Sequence, residues 1–528
     1  MVCCFLLFMF MAPGICKGDE GMEMLTTDIG VGTTIRHEWM PDIAYNPVEN
    51  DFLVLWHTSG PFEVGGVVLY SIDGQRVSSE GGLAGAPISL FTPFGGYAAL
   101  PRSAHNVFQN EYMVTFAMGP EYNGRDSYIA ILGGSGNIVQ TPICVNDTPT
   151  NTSHQFLAFN SQDREYLLSF NDYDANGKSD NLGFILDEAG NVISNMFGIG
   201  SPAGDQFTPC PVYNPIDNTY LLSWEDFRHA PGPWQQGPND LYGALLDADG
   251  NMLAEIPVIE DCGMPDAGTQ WTPDIAHNPD RDEFLVLWGD TRPSLINSSG
   301  IVGRIILADG TPAGPDFVVA DAALGQGSPS VEYVHSREQY FVVWPDYRNS
   351  GSTTPTANSD IYGKWLNASG EPVGDDIPIC TKAGNQRYAQ VAYNPVMERL
   401  MIVWRDESVN EPVEPFPPGQ PGHLRPSAGD VIGKIYGMPS FLSGRVIEKN
   451  TGDPVDGAKV KAVKQGSAQD TETNVGGWFN IVENGQPMGN YMLNVSMPGY
   501  QTVTESLYYN GEPLTVMIEI NKVSQGKN

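Results

Sequence analysis

The 528-residue chain is predicted to be all-β, and three observations predict it. Glycine (59), proline (41) and aromatics (10%) are plentiful, a composition that suits many short strands joined by turns. Apolar residues alternate at period two in runs such as Thr219-Tyr-Leu-Leu-Ser-Trp224, the pattern of a half-buried strand. Seven times an asparagine, or a valine in its place, is followed ten residues later by a large aromatic: Asn46/Trp56, Asn106/Phe116, Asn160/Phe170, Asn214/Trp224, Asn278/Trp288, Val334/Trp344 and Asn394/Trp404. The inner spacing is constant while successive aromatics lie 54 to 64 residues apart, which is how one supersecondary unit repeats with loops of varying length.

The fourth unit gives the order of elements. Pro211 to Asn214 is a short strand closed by an Asn-Pro turn, and Thr219 to Trp224 is the second strand. A polar loop, Glu225 to Asp240, leads to a third strand at Leu241 to Leu246. Asp247-Ala-Asp-Gly250 makes a hairpin turn, and Leu253 to Val258 is the outermost strand, where Pro257 is tolerated. Four antiparallel strands per unit read as a propeller blade, with the aromatic packed between blades. The seventh unit has three strands, Gln390 to Asn394, Arg399 to Trp404 and Asp430 to Tyr436, and no fourth. Leu25 to Val31 resembles the fourth strand of unit six, Gly374 to Ile379, and is predicted to complete the last blade and remove two open sheet edges. The expectation is a seven-bladed β-propeller over 22–439, closed by its N-terminal strand.

The motifs W-E-D-F-R at Trp224 to Arg228 with D-L-Y-G at Asp240 to Gly243, and W-P-D-Y-R at Trp344 to Arg348 with D-I-Y-G at Asp360 to Gly363, resemble repeats of secreted prokaryotic proteins. That resemblance implies the fold and nothing about activity. After Met438 the pattern changes. Ser443-Gly-Arg-Val-Ile447, Asp453 to Val460, Thr471 to Asn480 and Gly489 to Tyr500 alternate with glycine-bearing turns. This order resembles the carboxypeptidase regulatory-like family, which implies a small prealbumin-type β-sandwich over 441–521, a spacing or surface-attachment module and not a peptidase. Residues 522–528 remain as a tail.

Val2 to Met11 is an apolar run too short to span a bilayer, followed by small residues at Ala12 and Gly14. It reads as a signal peptide over 1–18 and places the protein outside the cell or on its surface. Sixty-three acids against 27 bases give a formal charge of −36, which repels phosphate backbones and anionic lipid heads. Nucleic-acid binding is excluded on that ground, and no membrane span is expected. Cys210 and Cys262 flank one repeat, and their pairing is open; Cys144 and Cys380 read as small buried hydrophobes.

An aspartate recurs two residues after the aromatic, at Asp172, Asp226, Asp290, Asp346 and Asp406, with Arg228, Arg292 and Arg348 two residues further on. Another opens strand three at Asp180, Asp240, Asp360 and Asp430. The expected arrangement clamps each arginine between two carboxylates and pins the loop; the competing reading is a ligand contact. Unit three has Asp174 in place of the arginine, within the D-x-D-x-N-G-x-x-D order Asp172, Asp174, Asn176, Asp180. Hard oxygens at alternate positions with a glycine at the bend suit calcium, the one cofactor expected. No nucleophile elbow, zinc-helix or phosphate-loop motif occurs.

The function read from these features is a secreted, non-enzymatic binding or scaffold protein, more a binder than an enzyme. Its loop face would engage an extracellular glycan or protein. The alternatives are an extracellular carbohydrate-active enzyme with its site at the central channel mouth, and a structural subunit of a surface layer or filament.

Overall fold

A computed structural model describes residues 22–523, except 35, 65–66, 92–96, 121–123, 149, 231–237, 263–266, 293, 296, 298, 352–357, 409–428, 465–466 and 483–485. The expected signal peptide and most of the tail lie outside the described residues, as do the middles of the long loops.

Among the described residues the chain forms seven antiparallel sheets in sequence order, then two more. The fourth sheet is typical, with strands Gln206–Asn214, Thr219–Asp226, Asp240–Asp247 and Met252–Ile259. The innermost strands touch in order round a circle, and Gln386–Asn394 of the seventh sheet returns to His37–Asn46 of the first. The arrangement is that of a propeller. The seven repeat aromatics are all buried between sheets, Trp56 being the most exposed at 4%.

The repeat asparagine closes the inner turn and joins neighbours. Asn46 Oδ1 accepts the amides of Val48 (2.8 Å) and Glu49 (3.0 Å), so the turn is capped from within. Its Nδ2 donates across the gap to Asn110 of the next sheet at 2.9 Å. Asn160 to Asn218 (2.9 Å) and Asn214 to Asp282 (2.8 Å) repeat the link. Asn394 to Asn50 (2.8 Å) makes it between last and first sheets. Valine can do neither, and at Val334 the turn is a 3-10 helix, His335–Arg337.

The N-terminal segment completes the seventh sheet, but as two short strands instead of one. Glu23–Met24 and Ile29–Gly32 both pair antiparallel with Asp430–Gly437. Between them Thr26 Oγ1 takes the amide of Ile435 (3.0 Å), and Asp28 turns out to Lys434 (3.2 Å) and Lys382. Leu25 N still donates to Ile435 O at 2.9 Å, but the return bond goes to a side chain, which period-two patterning does not reveal.

The C-terminal unit is a sandwich. One sheet orders Trp478–Val482, Ser440–Glu448 and Leu514–Ile520; the other orders Ser467–Glu472, Lys459–Lys464, Gly489–Ser496 and Val503–Tyr509. Its core holds Phe441, Phe479, Tyr491, Leu493 and Ile518. It docks on the turns of the first and seventh sheets. Trp478 Nε1 donates to Val48 O (2.9 Å), Asn474 Nδ2 to Pro47 O (2.6 Å), and Asn480 Nδ2 to Met397 O (3.2 Å).

Candidate functional site

The aspartate-arginine units are built as loop pins. In the fourth sheet Trp224 Nε1 donates to Asp226 Oδ2 at 2.9 Å. Arg228 grips the same carboxylate with Nε at 2.8 Å and Nη2 at 2.7 Å. Its guanidinium lies 3.7 Å over the Tyr242 ring. Arg348 grips Asp346 in the same way, with Nε at 2.9 Å and Nη2 at 2.6 Å, while the Arg292 side chain holds Asp290 through Nε at 2.8 Å. The expected second carboxylate needs correction. Arg228 reaches Glu255 (2.8 Å), Arg292 reaches Asp316 (2.6 Å) and Arg348 reaches Asp376 (2.6 Å), all on or beside the outermost strand. The tyrosine stack carries the guanidinium outward over Tyr242 and Tyr362, away from the aspartate that opens strand three. Asp240 instead accepts the amides of Asp261 (2.9 Å) and Cys262 (2.8 Å), and Asp360 takes Asn349 Nδ2 (2.7 Å).

In the third sheet the four calcium candidates sit apart in role. Asp172 accepts the hydroxyls of Thr150 (2.8 Å) and Thr152 (3.2 Å). Asp174 caps its own turn through the amides of Asn176 (2.7 Å) and Lys178 (2.9 Å), and these hold its carboxyl below the usual range. Asp180 pairs with Lys178 Nζ at 2.6 Å. A lysine from within the loop thus supplies the positive charge that arginine supplies in the sister loops. Among the described residues no three Asp, Glu, His or Cys gather as a metal site.

The cysteines separate as well. Cys210 is buried with its thiol 3.7 Å from Asp274, while Cys262 meets Pro238 O at 3.3 Å. Cys380 is buried as expected; Cys144 is exposed, contrary to expectation, because the outer strand Ile138–Asn146 turns it to solvent.

A different set of residues converges on the propeller axis. Six residues before each turn asparagine, or Val334, a residue on or just before the inner strand lies in the left-handed region: Met40 (φ 47), Leu100 (60), His154 (46), Thr208 (56), Thr272 (45), Ser328 (51) and Tyr388 (57). In six of the seven the ladder slips there, as between Trp271 and Asp274. Such a bulge re-aims the following side chains, and a non-glycine residue at positive φ costs on the order of 1–3 kcal/mol. The residues two positions on, Asp42, Arg102, Phe156, Cys210, Asp274 and Gln390, line a cavity of about 300 Å³ with others of six inner strands and with Ser328 and Pro329 just before the seventh. This is the axial channel.

Its titratable groups are shaped by burial. Asp274 Oδ2 accepts the amide of Val331 from the next sheet at 2.8 Å, and burial raises its carboxyl to about 6. Asp42 accepts Ser103 Oγ at 2.7 Å and is likewise pushed up by burial. His154 is pushed down to about 4 and is neutral at pH 7. In the wall behind, Glu225 accepts the Thr272 amide at 2.9 Å and is raised to about 7. The sequence signal for this ring is a proline after the left-handed residue, as in Thr272-Pro273-Asp274, and sequence reasoning passed over it.

The C-terminal fold and its glycine turns have a counterpart among known families. Residues 442–520 match the carboxypeptidase regulatory-like domain. No curated protein matches the chain. Among solved structures, a protein of unknown function from Dyadobacter fermentans shares 10% identity, with 79% of this chain and 100% of that one covered at a TM-score of 0.45. An α-L-arabinanase of Penicillium chrysogenum, complexed with arabinobiose, shares 11% over 78% of this chain and 98% of its own, at 0.42. An α-L-arabinofuranosidase of Fusarium graminearum shares 10% over 78% and 97%, at 0.41. The likeness is one of fold, a propeller-like arrangement of four-stranded sheets. Two of these three structures are glycoside hydrolases. The expected non-enzymatic binding or scaffold role, and with it the leaning away from an enzyme, finds no support among these structures.

Proposed function

We propose that the chain is an extracellular carbohydrate-active hydrolase, and that the axial channel of a seven-bladed propeller is its site. The observation that carries this reading is Asp274, a carboxyl group that burial raises to about 6 in a cavity to which all seven sheets contribute residues on or beside their inner strands. A carboxylic acid still partly protonated near neutral pH is suited to protonate a leaving glycosidic oxygen. Asp42, on the inner strand of the first blade, supplies a second carboxyl group to the same cavity. Ser103, Thr208, Thr272, Ser328 and Gln390 supply the neutral polar groups that sugar hydroxyls need. The acidic exterior and the apolar run at Val2 to Met11 support an extracellular setting.

The test is product analysis on a panel of oligosaccharides and aryl glycosides with the full chain and with Asp274→Asn. Turnover of at least one glycoside is expected, reduced in the variant by about 100-fold or more, the usual weight of a general acid. Turnover unchanged in a folded Asp274→Asn protein would overturn the assignment.

A further inference from the structure

We propose that the channel takes a sugar bearing a carboxylate, a uronic acid, with that carboxylate seated on Arg102. The inference rests on the reading of the channel as a glycoside site and names its substrate class. The protein carries 63 acidic against 27 basic side chains, so a cation at the axis is out of keeping with the whole. Arg102 is the single lysine or arginine among the residues that line the cavity. Its pairing there is incomplete. Nη1 donates to Pro101 O at 2.9 Å, and the nearest carboxylate oxygen, of Asp42, stands 3.8 Å from Nε, beyond hydrogen-bond range. Among the described residues Nη2 has no hydrogen-bond partner.

The surroundings leave this charge for a ligand. Asp42 accepts the Ser103 hydroxyl on its other oxygen and comes no closer to the guanidinium than 3.8 Å, so it offsets that charge only in part. His154 is uncharged at neutral pH. The guanidinium carbon lies 5.1 Å from the centre of the Phe156 ring, a contact that occupies none of its N–H donors. A planar fork of donors matches the two oxygens of a carboxylate, and the match strengthens where water is excluded. The cavity of about 300 Å³ sets the scale at a single terminal sugar ring.

The experiment compares D-glucuronate and D-galacturonate with D-glucose and D-galactose by ligand-observed NMR and calorimetry on the full chain, Arg102→Met and Arg102→Lys. The uronates are expected to bind the parent at least 10-fold more tightly than their neutral counterparts. Arg102→Met should abolish that preference, and Arg102→Lys should keep part of it. If Arg102→Met does not fold, the parent alone decides: uronate affinity must fall as salt rises while neutral-sugar affinity holds. Neutral sugars bound as well as uronates, or no uronate binding, overturns the proposal. Hydrolysis of neutral glycosides without a uronate preference would leave the channel as the site and remove only the role of Arg102. Uronate binding that depends on Arg102 without turnover of any glycoside would keep its role as an anion contact and remove the hydrolase.

Discussion

Trp224 and Asp226 are joined by a buried hydrogen bond of 2.9 Å from the indole nitrogen to a carboxylate with no solvent exposure. The same carboxylate holds Arg228, so one aspartate ties the inter-blade aromatic to the loop pin. Trp288 with Asp290 and Trp344 with Asp346 repeat the bond at 2.9 Å. The recurring motif is thereby accounted for as architecture.

Asp226→Ala leaves both the indole N–H and the guanidinium without their acceptor. It should cost about 3–5 kcal/mol in denaturant unfolding, as loss of one partner of a buried pair does. Arg228→Met strands the same buried carboxylate without its cation and should cost a similar amount. A cost under about 1 kcal/mol for either variant would mean that the pair does not hold the unit.

How much of this was legible in the sequence follows from periodicity. Trp224, Asp226 and Arg228 lie within five residues of one strand end, so their grouping is readable. Glu255 is not, because the register slips between the third and fourth strands, at Leu241/Tyr242 and again at Leu245/Leu246, and unseats any count along the strand. The channel was missed for a related reason. Its signal, a proline after the left-handed residue, is absent at His154-Gln155 and Tyr388-Ala389, where the same backbone forms without it. In the third unit, order alone does not show Lys178 turning onto Asp180.

That lysine gives a second prediction. Adding calcium or a chelator should leave the melting temperature unmoved, and Lys178→Met should lower stability by under about 1 kcal/mol, the scale of a partly exposed pair. A melting temperature that rises with calcium would instead support a bound ion among Asp172, Asp174, Asn176 and Asp180.

The sandwich straddles the seam between the first and seventh sheets, donating to Pro47 and Val48 on one side and to Met397 on the other. Trp478→Ala combined with Asn474→Ala should loosen that seam. Thermal unfolding should then split into two transitions where the parent shows one. A single transition at the parent's temperature would make the docking energetically silent.

Stability should also report the buried acids. Glu225 is raised from about 4.5 unfolded to about 7 folded, so the folded state holds a proton that the unfolded chain has lost. Stability contributed by this proton is present at low pH and is lost as pH rises from about 4.5 through 7. The stability of Glu225→Gln relative to the parent should therefore increase between pH 5 and pH 8, followed by chemical denaturation at each pH. A constant difference would show that the group is not protonated in the fold.

The most direct test of the channel as active site is kcat/KM against pH for the full chain on its best glycoside. Asp274 as general acid requires activity to fall as pH rises through about 6, with that limb and nearly all turnover gone in Asp274→Asn. The same limb and the same rate in the variant would contradict it.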